Sequence, residues 1–292
     1  MFEVAPERRG EMRRLWTQYK PQIEIVSTAN LLTLNANGRR IEFDPNIWDV
    51  FWLIGFSAWR AIEAYAPHVS LSANQNRSLA DLFAADDQLG VVEWDYRAGL
   101  AAAQRLIAPY TLNEAPWPPT IPRPTASRNS LTNAPDQVAF DLCGFAVVGA
   151  LLHELHHVML DQDKRRPSDR REEELMCDVW ARDYMTAKLA RYARLHGHAY
   201  RKVLEKRSMG LALLALILHE ITPQWAHGGT TTYFSIADRF TALIDNTRLP
   251  SDSVFWLWTA SLLVGVCRQR SISFDIVPTN ACELTRNLIA KL

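Results

Sequence analysis

The chain has 292 residues, 48% of them hydrophobic, which is enough to bury a large core and excludes a disordered chain. Its 32 Lys and Arg balance 32 Asp and Glu, so no global field draws it to nucleic acid or an anionic membrane. The cysteines, Cys143, Cys177, Cys267 and Cys282, form no CxxC pair, which excludes a disulfide framework and a cysteine zinc cluster and favours a reducing cytoplasm.

Taken in chain order, the charged start MFEVAPERRGEMRR lacks the apolar stretch of a signal peptide, so secretion is not expected. Residues 23–44 alternate apolar and polar in pieces, and Asn37-Gly38 between Leu31 to Leu34 and Ile41 to Phe43 predicts a hairpin in a small antiparallel sheet. The strand at 41–43 is a candidate edge for pairing with an extended peptide. Helical spacing follows over 48–65 and 96–107. Six prolines, Pro116, Pro118, Pro119, Pro122, Pro124 and Pro135, make 113–135 a long loop. Beyond it the pattern predicts helices over 136–160, 169–195, 200–221, 236–245, 254–268 and 281–292. The chain thus divides into a mixed lobe over 1–112, the Pro-rich loop over 113–135 and a helical lobe over 136–292, within one domain. The apolar runs 211–218 and 254–267 fall short of the roughly 20 residues that span a bilayer and read as buried helices, so no membrane partner is expected.

His153-Glu154-Leu155-His156-His157 matches HExxH, in which the outer histidines lie one helical turn apart on one face and reach a single ion. Glu154 points about 100° around the helix from His153, where its carboxylate meets a water without coordinating the metal. The preceding residues 138–152 are apolar around most of the circumference, so the helix runs through the interior and its polar end is partly buried. Burying imidazoles and a carboxylate is costly without a cation to offset it. Ala146, Gly149 and Ala150 share the side of His153 and are expected to leave room beside it. His156, at i+3 from His153, is a rival ligand, with a supporting role behind the ligands as its main reading.

A catalytic zinc site needs three protein ligands and an open position. The next predicted helix opens with Asp169-Arg-Arg-Glu172 and carries Glu174 and Asp178 at i and i+4. If that face meets the HExxH helix, Glu174 binds the ion and Asp178 takes a hydrogen bond from the far nitrogen of a ligand histidine. Glu172 and Glu173 read as ordinary first-turn acids favoured by the helix dipole.

HExxH followed by ExxxD resembles the glutamate-zincin peptidases, and Glu174-Leu-Met-Cys-Asp-Val-Trp-Ala181 is most similar, within them, to the Lit-type phage-exclusion peptidases. The resemblance implies an α+β, predominantly helical fold: a zincin-like core with the small N-terminal antiparallel sheet. It also implies Zn2+ held by His153, His157 and Glu174, and a narrow intracellular endopeptidase acting on a protein or peptide substrate. Lit-type relatives act on a host translation factor during phage infection and ImmA-like relatives on repressors, so a protein activator or inhibitor is expected. In one branch of the group a His-Pro pair precedes an arginine by six positions; here Tyr233-Phe234 stands at that spacing before Arg239. Tyr233 and His227 are candidate donors to a developing oxyanion, and Arg239 is a candidate partner of Asp178 or of substrate. A non-catalytic, zinc-stabilised binding protein is the competing class, disfavoured by the free Glu154. The basic runs at 164–166 and 201–202 read as solvated faces, so no nucleic-acid partner is expected.

Overall fold

The computed structural model describes residues 4–26, 32–107, 116–125, 127–245, 247–273 and 276–292. Leu31 of the expected hairpin and residues 113–115 and 126 of the Pro-rich loop lie outside them. Helix α1 (Arg9–Tyr19) leads into β1 (Gln22–Ile25), β2 (Leu34–Asn37) and β3 (Arg40–Phe43), followed by α2 (Ile47–Gln75), α3 (Leu79–Ala84) and α4 (Leu89–Ile107). After the Pro-rich stretch come α5 (Ala134–Gln162), α6 (Arg170–Thr186), α7 (Leu189–Leu195), α8 (Tyr200–Ile221), α9 (Ile236–Ile244), α10 (Val254–Gln269) and α11 (Ala281–Ile289). The fold is α+β and predominantly helical, as the sequence predicts.

Gly38 takes φ +61 to close the β2–β3 hairpin, a conformation that Gly adopts without a Cβ clash. The sheet is mixed rather than antiparallel throughout, because β1 joins the other side of β3 in parallel, giving the order β1-β3-β2. The 41–43 strand is therefore central, with both edges filled, and cannot pair with a peptide; among the described residues no strand pairs with the outer edge of β2. Ile41 seals the sheet onto α5 through Val158, and Gln162 at the end of α5 donates to the Tyr19 carbonyl at 2.7 Å.

Helix α5 starts at Asn133, whose side chain accepts from Asp136 N, with Pro135 in the first turn, where its missing N–H costs nothing. It is the one described helix long and apolar enough, by length and composition, to cross a membrane, and 67% of its apolar window is buried inside the protein. It packs against α2, α6 and α8. Glycines set these approaches: a Cβ on Gly55 of α2 would fall 2.2 Å from Cys143 Sγ, and one on Gly210 of α8 would fall 2.2 Å from Phe145 Cβ. The side chain of Leu214 on α8 occupies the space beside Gly149, 2.9 Å from where a Cβ would sit. The room expected beside all three small residues of α5 is thus partly filled, and Ala150 is the one that lines the cavity described below.

Helix α2 runs past Tyr65 and through Pro67 to Gln75, where Asn76 ends it in the left-handed region. The helix expected over 169–195 is two: Ala187 is extended and Lys188 turns left-handed, with φ 62, between α6 and α7. Helices α1 and α3 are additional to the predicted set, the first lying in the charged N-terminal stretch.

Candidate metal centre

The polar end of α5 is buried, as are His153, Glu154 and His157 on it. Helical spacing turns the two imidazoles to one side, and their Nε2 atoms stand 3.1 Å apart. Asp169 caps α6 by accepting from Arg171 N, and the helix then packs on α5 with Glu174 between the rings. One Glu174 oxygen lies 3.3 Å from His153 Nε2 and the other 3.4 Å from His157 Nε2. Donors about 2.0–2.2 Å from a common tetrahedral ion lie about 3.3 Å apart, so these three fit one small divalent cation.

Each imidazole has a carboxylate behind it, hydrogen-bonded at His157 and close but out of hydrogen-bond alignment at His153. His153 Nδ1 lies 2.8 Å from Asp178 Oδ1, and His157 Nδ1 lies 2.7 Å from Glu173 Oε1. In a neutral ring such a partner favours the tautomer with its proton on Nδ1, the form whose Nε2 can take a metal. Arg239 of α9 clamps Asp178 with two bonds, Nε to Oδ2 at 2.8 Å and Nη2 to Oδ1 at 3.0 Å, and its Nη2 is 3.7 Å from Glu174. Glu173 is the residue that sequence reasoning missed: it is buried, with Arg166 Nε 3.4 Å away. The signal was chemical, since two ligand imidazoles call for two acceptors and Asp178 serves one.

The charges follow from this packing. Burial opposes a positive His153, but Asp178, Glu174 and Glu154 outweigh it and carry its pKa up to about 10. Burial likewise opposes ionised Glu174, yet His153 and His157 hold its carboxyl far below the usual range. Burial raises the Glu154 carboxyl above its ordinary value, partly countered by the two histidines, and no described residue donates it a hydrogen bond. Cys177 is fully buried, with its sulfur among donors of His153 and His157 that lie within 4.8 Å of one another; these three side chains could also hold a metal ion. Burial and then Glu174 push its thiol well above the ordinary range, so Glu174 is the readier anionic donor.

A cavity of about 550 Å³ opens onto this centre, lined by His153, Glu154, His157, Glu174, Asp178 and Arg239. Tyr233 also lines it and is 42% exposed, so its hydroxyl-bearing ring is available to a ligand. Two candidates stand apart. His156 stacks flat on Trp180, ring centroids 4.8 Å apart and planes 1° from parallel, with Nδ1 unpartnered among the described residues. Burial and the neighbouring imidazoles push its pKa down to about 4, so it packs as a neutral ring outside the cavity. His227 is buried and donates from Nε2 to the Thr222 carbonyl at 2.9 Å, while its ring lies 4.6 Å from that of His219. It braces its own loop instead of facing the centre, because its donor nitrogen is already engaged.

No curated protein and no solved structure matches the chain. The sequence model of the family described as Peptidase U49 matches residues 41–259, three quarters of the chain and a span containing every residue of the centre. The chain belongs to the Peptidase U49 family.

Proposed function

We propose that the protein is a zinc-dependent endopeptidase in which His153, His157 and Glu174 hold Zn2+ and Glu154 is the general base. The observation that carries this reading is the division of labour among four buried groups: three converge on one point, and Glu154 stands beside them with no hydrogen-bonded partner among the described residues. A bound Zn2+ supplies Lewis acidity, polarising a peptide carbonyl and making a nearby water easier to deprotonate. Glu154, whose carboxyl burial holds above its ordinary pKa, takes the proton from the attacking water and returns it to the departing amine. Tyr233 donates to the developing oxyanion from the cavity wall. Arg239 acts through Asp178, which its Nε and Nη2 bond, and so keeps the carboxylate beside the His153 ring in place.

Substrate lies along β2. Asp44 N donates to the Thr33 carbonyl, so by antiparallel alternation the main-chain groups of Leu34 and Ala36 point to the open edge. Both residues line the cavity, and a strand added there gains main-chain hydrogen bonds beside the metal centre. An unfolded or loop segment of a protein meets that demand. The similarity to Lit-type phage-exclusion peptidases makes a host translation factor cut during phage infection the first substrate to test, in the cytoplasm.

Cys177 favours a second reading, a closed His153, His157, Cys177 and Glu174 site that holds the fold without catalysis. One experiment separates the two. Purified wild type should carry close to one zinc by elemental analysis, lost in His153→Ala or His157→Ala. Glu154→Gln should keep the metal and lose about 100-fold or more of the new peptide termini seen in cells expressing wild type. Equal termini from wild type and Glu154→Gln select the non-catalytic reading.

A further inference from the structure

We infer that Trp225 is a specificity-determining residue of this site, selecting extended segments with an aromatic or long aliphatic side chain near the bond to be cut. The inference rests on the peptidase reading above. Trp225 is 80% exposed, the most exposed of the large apolar side chains described, yet it lines the same cavity as His153 and Glu154. An indole left in water at the mouth of a cavity is a large apolar surface that a ligand can cover.

The backbone beneath it is already ordered. Trp225 sits in a single helical turn, Gln224–Ala226, where Ala226 N bonds the Pro223 carbonyl at 2.8 Å and Gly229 N bonds the Ala226 carbonyl at 3.0 Å. His227 ties this turn to the end of α8 through Thr222, and Arg270 at the end of α10 reaches its Nδ1 at 3.5 Å. A ligand that covers the ring therefore has little loop entropy left to overcome. The same loop carries Tyr233, and the open edge of β2 lines the same cavity, so a segment paired along β2 comes within the reach of this aromatic rim. Leu34, Leu218 and Ile221 add apolar wall. Arg170, half-exposed in the lining, weighs against a basic side chain as the occupant, although indole faces attract cations.

The test reads binding independently of turnover. Zinc-loaded Glu154→Gln is exposed to a peptide library made from a bacterial proteome, and bound peptides are identified by mass spectrometry. Enrichment of peptides with Phe, Tyr, Trp, Leu, Ile or Met, reduced at least tenfold by adding Trp225→Ala and kept by Trp225→Phe, is the expected result. An unchanged bound set in the Trp225→Ala protein, a set without apolar enrichment, or no bound peptides at all overturns the assignment. So does a loss of binding accompanied by a lower Tm or lower zinc content, because the ring would then be part of the packing. Cleavage of the same library by protein with Glu154 intact tests the peptidase reading separately.

Discussion

At the scale of single residues, the metal centre is a set of pairings in which a carboxylate stands behind each imidazole. Glu173 should accordingly matter through His157. Glu173→Ala is expected to weaken zinc binding about 10- to 100-fold in chelator competition, with Glu173→Gln recovering much of it, because an amide oxygen still accepts from Nδ1. Equal zinc affinity in wild type and Glu173→Ala would reduce Glu173 to a buried helix acid. That His153 shares a face with His157, and Glu174 with Asp178, was legible in the sequence because helical geometry fixes what i and i+4 share; that the two faces meet depends on how α6 packs on α5. Glu173 was not legible, since its facing depends on how α6 crosses α5, and its place in a first turn has an ordinary explanation. His227 was misread for a related reason: a loop has no period, and only the tie to Thr222 shows which way the ring turns.

Among the elements, α5 positions everything, and its depth follows from close crossings with α2 and α8. A methyl added at Gly210 meets Phe145 Cβ on α5, next to that side chain's own backbone, so the helices must shift. Gly210→Ala is expected to destabilise the protein by roughly 1–3 kcal/mol despite its better helix propensity, and to weaken zinc binding with it. Thermal denaturation checks the first effect; an unchanged or higher Tm would show that the crossing has slack. The long helices α5, α8 and α10, apolar around most of their circumference, were readable almost to their ends. The break at Lys188 was not, because neither Gly nor Pro marks it, and Lys adopts a left-handed φ there without a sequence signal. The parallel arrival of β1 was equally hidden, since alternation identifies strands and leaves their partners open.

For the whole molecule, the centre links stability to pH in opposite directions with and without metal. In metal-free protein His153 has a pKa of about 10 against an ordinary 6.5, so its protonated form contributes stability in full below pH 6.5 and loses it as pH rises toward 10. The depressed carboxylates Glu174 and Asp178 stay ionised throughout that window and add no slope. Zinc needs the neutral ring, so its stabilisation grows over the same range. Melting curves in chelator should fall from pH 6.5 to 10 while the increment from added zinc rises. Matching chelator curves for wild type and His153→Gln would remove His153 as the cause. The tie between Arg239 and Asp178 spans 61 residues, whereas the metal donors end at Glu174 on a local helical hairpin. At a synthesis rate of roughly 5–20 residues per second, those donors are therefore made roughly 3–13 s before the arginine that braces Asp178. If the chain is the zinc peptidase proposed above, all of its metal donors are synthesised before Tyr233, so the ligand set precedes the catalytic hydroxyl in the order of synthesis.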